Sequence, residues 1–184
     1  TPSHILTTEA IAMLFGRLPL DDVWLREIAG VDAATVQTLV PRIRARQRLG
    51  MLIFVRWVLV MVNFERALYS DPDQDLNQRW WDLVERYQLL RRPEGRDEPD
   101  WAAKIHLALY PVYYQNYLLG ELTASQLQRA IDEQAGGLVN RAEAGRFLGE
   151  RVFAPGGAVR WDQLVEQATG VRLGPHAFAD QFAR

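Results

Sequence analysis

Residues 101–120 read WAAKIHLALYPVYYQNYLLG, and the chain is organised around this stretch. It contains the only lysine, Lys104, and four of the six tyrosines, together with His106 and Pro111. Every other basic side chain of the sequence is an arginine. A lysine in such a background indicates a need for a compact, flexible ammonium rather than a planar guanidinium. Codon bias alone would also explain a single lysine.

Helical periodicity places the polar aromatic side chains of this stretch on one face. Taken as one helix at ~100° per residue, it brings an imidazole and three phenols within an arc of about 60°. These are His106, Tyr110, Tyr113 and Tyr117, with Tyr114 at the edge of the arc. Such a stripe is costly to bury unless each polar tip has a partner, so it favours a binding cleft over a core. Pro111 predicts that the helix kinks or begins anew there.

The composition is that of a globular protein, with 48% apolar residues and a net charge of −2 over 184 residues. This length suits one domain with a substantial core, and we expect residues 1–184 to form a single helical unit. No basic face with exposed aromatic residues emerges, so nucleic-acid binding has little support. The sequence lacks cysteine, which excludes thiol chemistry and leaves the compartment open. The dominance of arginine suggests a GC-rich bacterial genome.

Apolar periodicity predicts helix after helix and no β-strand, so the predicted fold class is all-α and multi-helical. The most apolar run, residues 51–64, is shorter than the roughly 20 residues that cross a bilayer. We therefore expect a helix buried on nearly all sides, without membrane insertion. Arg56 inside it then needs a carboxylate or carbonyl partner. Predicted helices cover residues 35–70, 76–90, 142–151 and 161–168, with a last one starting near His176.

A first helix is expected close to the N-terminus, where Thr7 or Thr8 can cap a run of apolar residues. Glu9 then falls in the first helical turn. A carboxylate in that position interacts favourably with the helix dipole. Periodicity alone favours this structural role for Glu9.

Several catalytic motifs are absent from the sequence. It contains no G-x-x-x-x-G-K-[ST], G-x-G-x-x-G or G-x-S-x-G. No motif therefore supports nucleotide binding or a serine-hydrolase activity. His4, His106 and His176 cannot form an i, i+4 metal pair, and H-E-x-x-H does not occur. The chain by itself therefore has no complete metal site.

Three segments carry a resemblance to a known family. They are T-T-E-A-I-A-M (7–13), N-Q-R-W-W-D-L-V-E-R-Y (77–87) and the stretch 100–126 with K-I-H and P-V-Y-Y-Q-N-Y-L-L-G-E-L. In order and approximate spacing they resemble the zinc gluzincin peptidases, most closely the angiotensin-converting enzyme family and its bacterial relatives. The resemblance implies an all-helical ellipsoid with a deep active-site cleft, of which this chain is the C-terminal part. It also implies zinc-dependent hydrolysis of peptides, in the manner of a peptidyl-dipeptidase.

The same resemblance implies roles for single residues. Glu9 becomes the third zinc ligand, in place of the dipole role. Met13 stands where family members often carry an aspartate that orients a metal ligand. The resemblance therefore implies that this orienting contact is altered or is supplied by another residue. The resemblance implies that Lys104 and Tyr114 bind the C-terminal carboxylate of the substrate. It also implies that His106 donates a hydrogen bond to the peptide backbone near the scissile bond, and that Tyr117 stabilises the oxyanion.

The tyrosine assignment has an alternative. The Y-x-x-Y match requires one residue of difference in the spacing from His106. If that spacing is held instead, Tyr113 takes the carboxylate role and Asn116 falls at the oxyanion position. In the Y-x-x-Y match, Asn116 replaces a chloride-binding arginine, which argues against chloride activation.

The resemblance places H-E-x-x-H just upstream of Thr1. We therefore expect the isolated chain to be inactive and to hold no catalytic zinc. The N-terminal part of the same protein, or a partner chain, would supply the rest of the site. The competing hypothesis is a non-catalytic helical interaction module on a peptidase-derived scaffold, and an H-E-x-x-H upstream in the reading frame would favour the enzyme.

Overall fold

The computed structural model describes residues 3–183, and within that range it is 73% helical with no β-strand. The predicted all-α, multi-helical fold class is confirmed. The α-helices are α1 (Ile5–Gly16), α2 (Asp22–Glu27), α3 (Ala33–Ser70), α4 (Leu76–Gln88), α5 (Ile105–Ala108), α6 (Gln115–Ala135), α7 (Ala142–Leu148), α8 (Trp161–Thr169) and α9 (His176–Phe182). Short 3₁₀ segments cover Leu18–Leu20, Asp100–Ala103 and Gly156–Ala158, and a π-helical turn covers Gly149–Phe153.

The chain divides into two compact units. The first, called the discontinuous unit, comprises Thr1–Leu49 and Leu119–Arg184 as far as they are described. The second, called the central unit, is Gly50–Leu118. The boundaries fall inside α3 and α6. That residues 1–184 behave as one helical unit stays a prediction.

Helix α1 begins earlier than its sequence pattern predicts. His4 is the N-cap, and its Nδ1 accepts a hydrogen bond from the Leu6 amide at 3.1 Å. The predicted cap at Thr7 or Thr8 is therefore wrong, and Thr7 is buried inside the helix. Glu9 consequently lies beyond the first turn, where the effect of the helix dipole has faded.

The core of the discontinuous unit is built around α6. Its apolar positions 124, 127 and 131 recur at helical spacing and form one buried face. Residues from α1, α7, α8 and the π-helical turn pack against that face. The buried members are Leu14, Ala124, Leu127, Ala130, Ile131, Ala144, Phe147, Leu148, Val152 and Ala168.

A buried arginine connects three helices of this unit. The Arg17 side chain, just after α1, donates to the Glu121 carboxylate at 2.6 Å and to the Ser125 hydroxyl at 3.1 Å. It also donates to the Gln181 side-chain oxygen of α9 at 3.1 Å. Both members of the Arg17–Glu121 pair are about nine-tenths buried. The ends of α1 and α9 are thereby fixed to α6.

The core of the central unit lies between α3 and α4. Phe64 is fully buried, and its ring packs edge-on against Trp80 with centroids 5.1 Å apart. Trp101 contributes a further ring, with its centroid 5.5 Å from that of Phe64. The remaining buried members are Val60, Met61, Leu83 and Val84.

Helix α3 is less buried than predicted. The Arg56 guanidinium donates to the Tyr87 carbonyl oxygen, so the predicted carbonyl partner is confirmed. Leu52 and Ile53, by contrast, are 38% and 50% exposed. The expectation of burial on nearly all sides is therefore wrong at the start of this run. Between residues 3 and 183, no helix combines the length and apolarity needed to cross a membrane.

Candidate functional site

The stretch that carries the predicted site is broken into separate helical pieces. A 3₁₀ segment ends at Ala103, α5 ends at Ala108, and regular helix resumes only at Gln115 in α6. Pro111 lies in the gap, because proline has no N–H to donate and clashes with the preceding turn. The predicted new start is confirmed. The single helical face assumed for the tyrosines is wrong.

Tertiary structure nevertheless assembles the same side chains. The aromatic cluster is defined as His106, Tyr110, Tyr113, Tyr114 and Tyr117. All four phenol rings surround the imidazole of His106. Their centroids lie 6.4, 5.8, 4.9 and 5.4 Å from it, in the order Tyr110, Tyr113, Tyr114 and Tyr117. The turn between α5 and α6 thus achieves what a continuous helix was expected to provide.

A hydrogen bond joins the two residues implied to act at the scissile bond. The Nε2 of His106 lies 2.9 Å from the hydroxyl oxygen of Tyr117. Both side chains are half-buried, and their rings meet edge-on. The bond therefore fixes the relative orientation of an imidazole and a phenol in a partly dry site.

Lys104 lies over tryptophan rings. Its ammonium nitrogen is 5.5 Å from the ring centroid of Trp57 and 5.8 Å from that of Trp80. These distances suit cation–π attraction. Among the described residues, no carboxylate lies close enough to form a salt bridge with Lys104. A cation held by aromatic faces keeps its hydrogen-bonding capacity for an acceptor outside the protein.

Tyr114 packs beside the same indole. Burial raises the pKa of Tyr114, and its hydrogen bond with the Trp57 side chain opposes part of that shift. Tyr114 therefore stays a neutral hydrogen-bond donor throughout the neutral pH range. Trp57 touches both residues implied to bind a carboxylate, yet sequence reasoning treated it only as part of an apolar run. Nothing in the sequence around Trp57, which directly follows Arg56, indicated that its side chain would lie at the site.

Tyr113 and Asn116, the residues of the alternative spacing, are also located. The Tyr113 ring lies 5.8 Å from His106 and 5.3 Å from Tyr117, so it belongs to the same cluster. Asn116 is 5% exposed, and its amide donates to the Tyr113 carbonyl oxygen at 3.0 Å. Its side chain is thus engaged at the start of α6.

Two residues that contact each other in the turn before α6 were missed by sequence reasoning. Val112 has φ of 56°, a left-handed conformation that costs a β-branched residue about 1–2 kcal/mol. Its amide donates to the Glu65 carboxylate of α3 at 2.5 Å. A signal existed, because Glu65 sits between Met61 and Leu68 at helical spacing and hence on the buried face.

Glu9 lies in the discontinuous unit, half-buried on α1. Gly120 of α6 permits close approach there: a Cβ at Gly120 would lie 3.1 Å from the Glu9 Cβ and 3.3 Å from the Ala10 nitrogen.

Catalytic zinc requires three protein ligands. The described residues contain no group of three or more His, Cys, Asp or Glu side chains that could hold a metal. By themselves they do not fit zinc, and Glu9 offers one carboxylate.

Comparison with known proteins gives a partial likeness. An angiotensin-converting enzyme-like protein of the mouse, Mus musculus, is 31% identical over 104 residues. The alignment covers 51% of this chain but 14% of the mouse protein, so the chain spans only a small part of that relative. No family model matches the chain. No solved structure matches it significantly. The likeness agrees with the resemblance noted in the sequence and relates the chain to angiotensin-converting enzyme-like sequences over about half its length.

Proposed function

We propose that this chain forms the substrate-binding wall of a zinc peptidase related to angiotensin-converting enzyme. The complete protein would remove dipeptides from the C-termini of peptides. The observation that carries the proposal is the 2.9 Å hydrogen bond between His106 and Tyr117, inside an aromatic cluster beside the only lysine. The similarity to the mouse protein supports the same class of function.

The substrate's C-terminal carboxylate binds to Lys104 and Tyr114. The two side chains lie near Trp57, since the ammonium lies over its ring at 5.5 Å and both Trp57 and Tyr114 pack against the same buried cluster. An ammonium and a neutral phenol are both donors to a carboxylate. Attraction between opposite charges is stronger next to half-buried aromatic rings than in water. Tyr113 is the alternative phenol for this role.

His106 and Tyr117 act at the bond to be cut. His106 donates to the peptide backbone, and the Tyr117 hydroxyl donates to the oxyanion that develops on the attacked carbonyl. Their mutual hydrogen bond holds both rings in place before substrate arrives. The bond uses one donor, the Nε2–H or the phenol O–H, and releases it when both groups donate to the substrate. The preset rings then stabilise the transition state electrostatically. Asn116 is a weaker candidate for the oxyanion, because its amide already donates to the Tyr113 carbonyl.

Zinc belongs to the proposal only for the complete protein. Glu9 would supply one ligand, and an H-E-x-x-H motif outside residues 1–184 or in a partner chain would supply the others. The isolated chain would neither hold catalytic zinc nor cleave peptides. Peptidase activity of the isolated chain with an equivalent of zinc would contradict this part of the proposal.

The test is Tyr117→Phe in the complete protein, with peptides that carry a free C-terminal carboxylate as substrates. Loss of one oxyanion donor should lower kcat by about 10²–10³-fold, while KM changes little, because the contact forms only in the transition state. Tyr110→Phe is the matched control, since Tyr110 belongs to the same cluster but is 54% exposed. An unchanged kcat in Tyr117→Phe would refute the oxyanion role. A complete protein inactive with zinc would favour the interaction module.

A further inference from the structure

We propose that Glu65 is a positioning residue for the aromatic cluster and acts through the backbone amide of Val112. Its predicted effect on catalysis rests on the proposed function. The effect on the geometry of the cluster does not, because it follows from contacts within the central unit alone.

Glu65 is a buried carboxylate with two donors. It is 5% exposed, in the part of α3 that forms the core. The Val112 amide donates to its Oε1 at 2.5 Å, and the Tyr69 hydroxyl donates to the same atom at 2.9 Å. A carboxylate is costly to bury without such donors. Of the two bonds, only the one from Val112 reaches the segment that carries the cluster.

Val112 adopts a backbone conformation that its side chain disfavours. Its φ of 56° lies in the left-handed region, which β-branched residues rarely occupy. Two bonds hold the residue there. The Glu65 carboxylate binds its amide, and the Gln115 side chain donates to its carbonyl oxygen at 2.7 Å. Without the Glu65 bond, Val112 should relax towards negative φ.

The direction of the chain at Val112 determines where the phenols lie. Tyr113 and Tyr114 follow it directly, and Tyr117 is in the first turn of α6, which starts at Gln115. A change of φ at Val112 would therefore rotate these rings relative to His106, which is on α5 and precedes the turn. The bond from Glu65 to this segment is to a backbone amide, so its action on the rings is indirect.

The test measures amide hydrogen exchange by mass spectrometry, and kcat and KM, in the complete protein. Glu65→Ala should speed exchange in residues 110–117 by about tenfold or more, since a buried hydrogen bond to a charged acceptor is lost. It should also lower kcat more than it raises KM. Glu65→Gln should stay near the parent protein, because its amide oxygen can still accept from Val112. Val112→Gly added to Glu65→Ala should restore part of the loss, because glycine tolerates positive φ.

Tyr69→Phe is the control, since it removes the other donor to Glu65 and leaves the Val112 bond. The proposal is overturned if Glu65→Ala leaves exchange in residues 110–117 unchanged, or if Tyr69→Phe accelerates it equally. If Glu65→Ala alone does not fold, the double variant Glu65→Ala/Val112→Gly should fold better, because glycine removes the backbone strain. If the double variant is equally unable to fold, the proposal is also overturned. If exchange responds as expected but no variant, nor the parent, cleaves peptides, the positioning role stands and the proposed function fails.

Discussion

Arg17 of the discontinuous unit and Lys104 of the central unit are both cations held by neighbouring side chains, but they are held in different ways. In the discontinuous unit, Arg17 donates to a carboxylate, a hydroxyl and an amide oxygen, all from the same unit. In the central unit, the Lys104 ammonium lies over two indole rings. There the partly buried hydroxyl of Tyr117 is paired with a neighbouring imidazole.

This difference separates polar groups that hold the fold from polar groups that can bind a ligand. The Arg17 guanidinium donates to acceptors on α6 and α9 and so holds helices together. An ammonium over aromatic rings is stabilised in place without losing its donors. Mutation of Arg17 should therefore act mainly on stability, and mutation of Lys104 mainly on ligand binding.

The largest effect is expected from Arg17→Ala. The substitution leaves the Glu121 carboxylate buried without its cation, and such changes cost about 3–5 kcal/mol of unfolding free energy. Arg129→Ala, in the same unit, breaks the more exposed ion pair with Asp180. It should cost less than about 1 kcal/mol of unfolding free energy. Urea denaturation of both variants measures the difference. Equal losses would show that the Arg17 network does not hold the unit together.

A smaller loss is expected from Gly120→Ala. The new Cβ would lie 3.0 Å from the Met13 sulfur and 3.3 Å from the Ala10 nitrogen, so α1 must shift. Overpacking of this kind costs about 1–3 kcal/mol. The matched control is Gly145→Ala in α7, where nothing lies within 4 Å of the new atom; there the better helix former should stabilise by about 0.5–1 kcal/mol. Thermal unfolding that moves the same way in both variants would contradict this packing argument.

Lys104→Met should change stability less. The apolar part of the side chain is kept, and loss of a cation–π contact costs about 0.5–1 kcal/mol. Binding should change more, because the cation for the substrate carboxylate is gone. Cleavage of peptides with free and with amidated C-termini, by the complete protein, measures this. The parent should prefer the free carboxylate and the variant should not; a preference that survives would remove Lys104 from the site.

The smallest effect is expected at alkaline pH. Burial raises the pKa of Tyr114 above its ordinary value of 10.0, so the unfolded chain loses this proton at lower pH than the folded protein. The stabilising contribution is present below that value and is lost as the pH rises through the raised pKa. The unfolding free energy should be measured one pH unit below and one pH unit above the ordinary tyrosine pKa. Its fall between these two pH values should be smaller in Tyr114→Phe than in the parent protein. An equal fall in both would show that the Tyr114 hydroxyl is not buried in solution.

Much of the fold follows from the sequence. Apolar periodicity locates α3, α4, α8 and α9 to within a few residues, because each buries one face at a spacing that only a helix provides. It also identifies Arg56 as a cation in need of a partner; the residue is half-buried, and the Tyr87 carbonyl accepts its hydrogen bond. The prediction of secondary structure fails at Thr7, where the helix start depends on the His4 N-cap. It also fails in residues 101–120, where the path depends on Pro111 and on the distant contact between Val112 and Glu65.

The sequence identified the residues of the aromatic cluster but not their geometry, and their roles in a site stay a prediction. His106 and the tyrosines could be chosen because an imidazole with four phenols is a costly group to bury. Trp57, Glu65 and Val112 could not be connected with them, since they lie far away in the sequence or act through the backbone.

The sequence by itself determined that the chain is all-α and that residues 101–120 carry the polar aromatic groups, because composition and spacing act locally. Only the tertiary structure decided that these groups meet across a turn rather than along one helix. The turn exists because Pro111 interrupts the helix, and the buried carboxylate of Glu65 stabilises the left-handed conformation at Val112. That carboxylate comes from α3, from a part of the chain that no local pattern connects with the aromatic cluster.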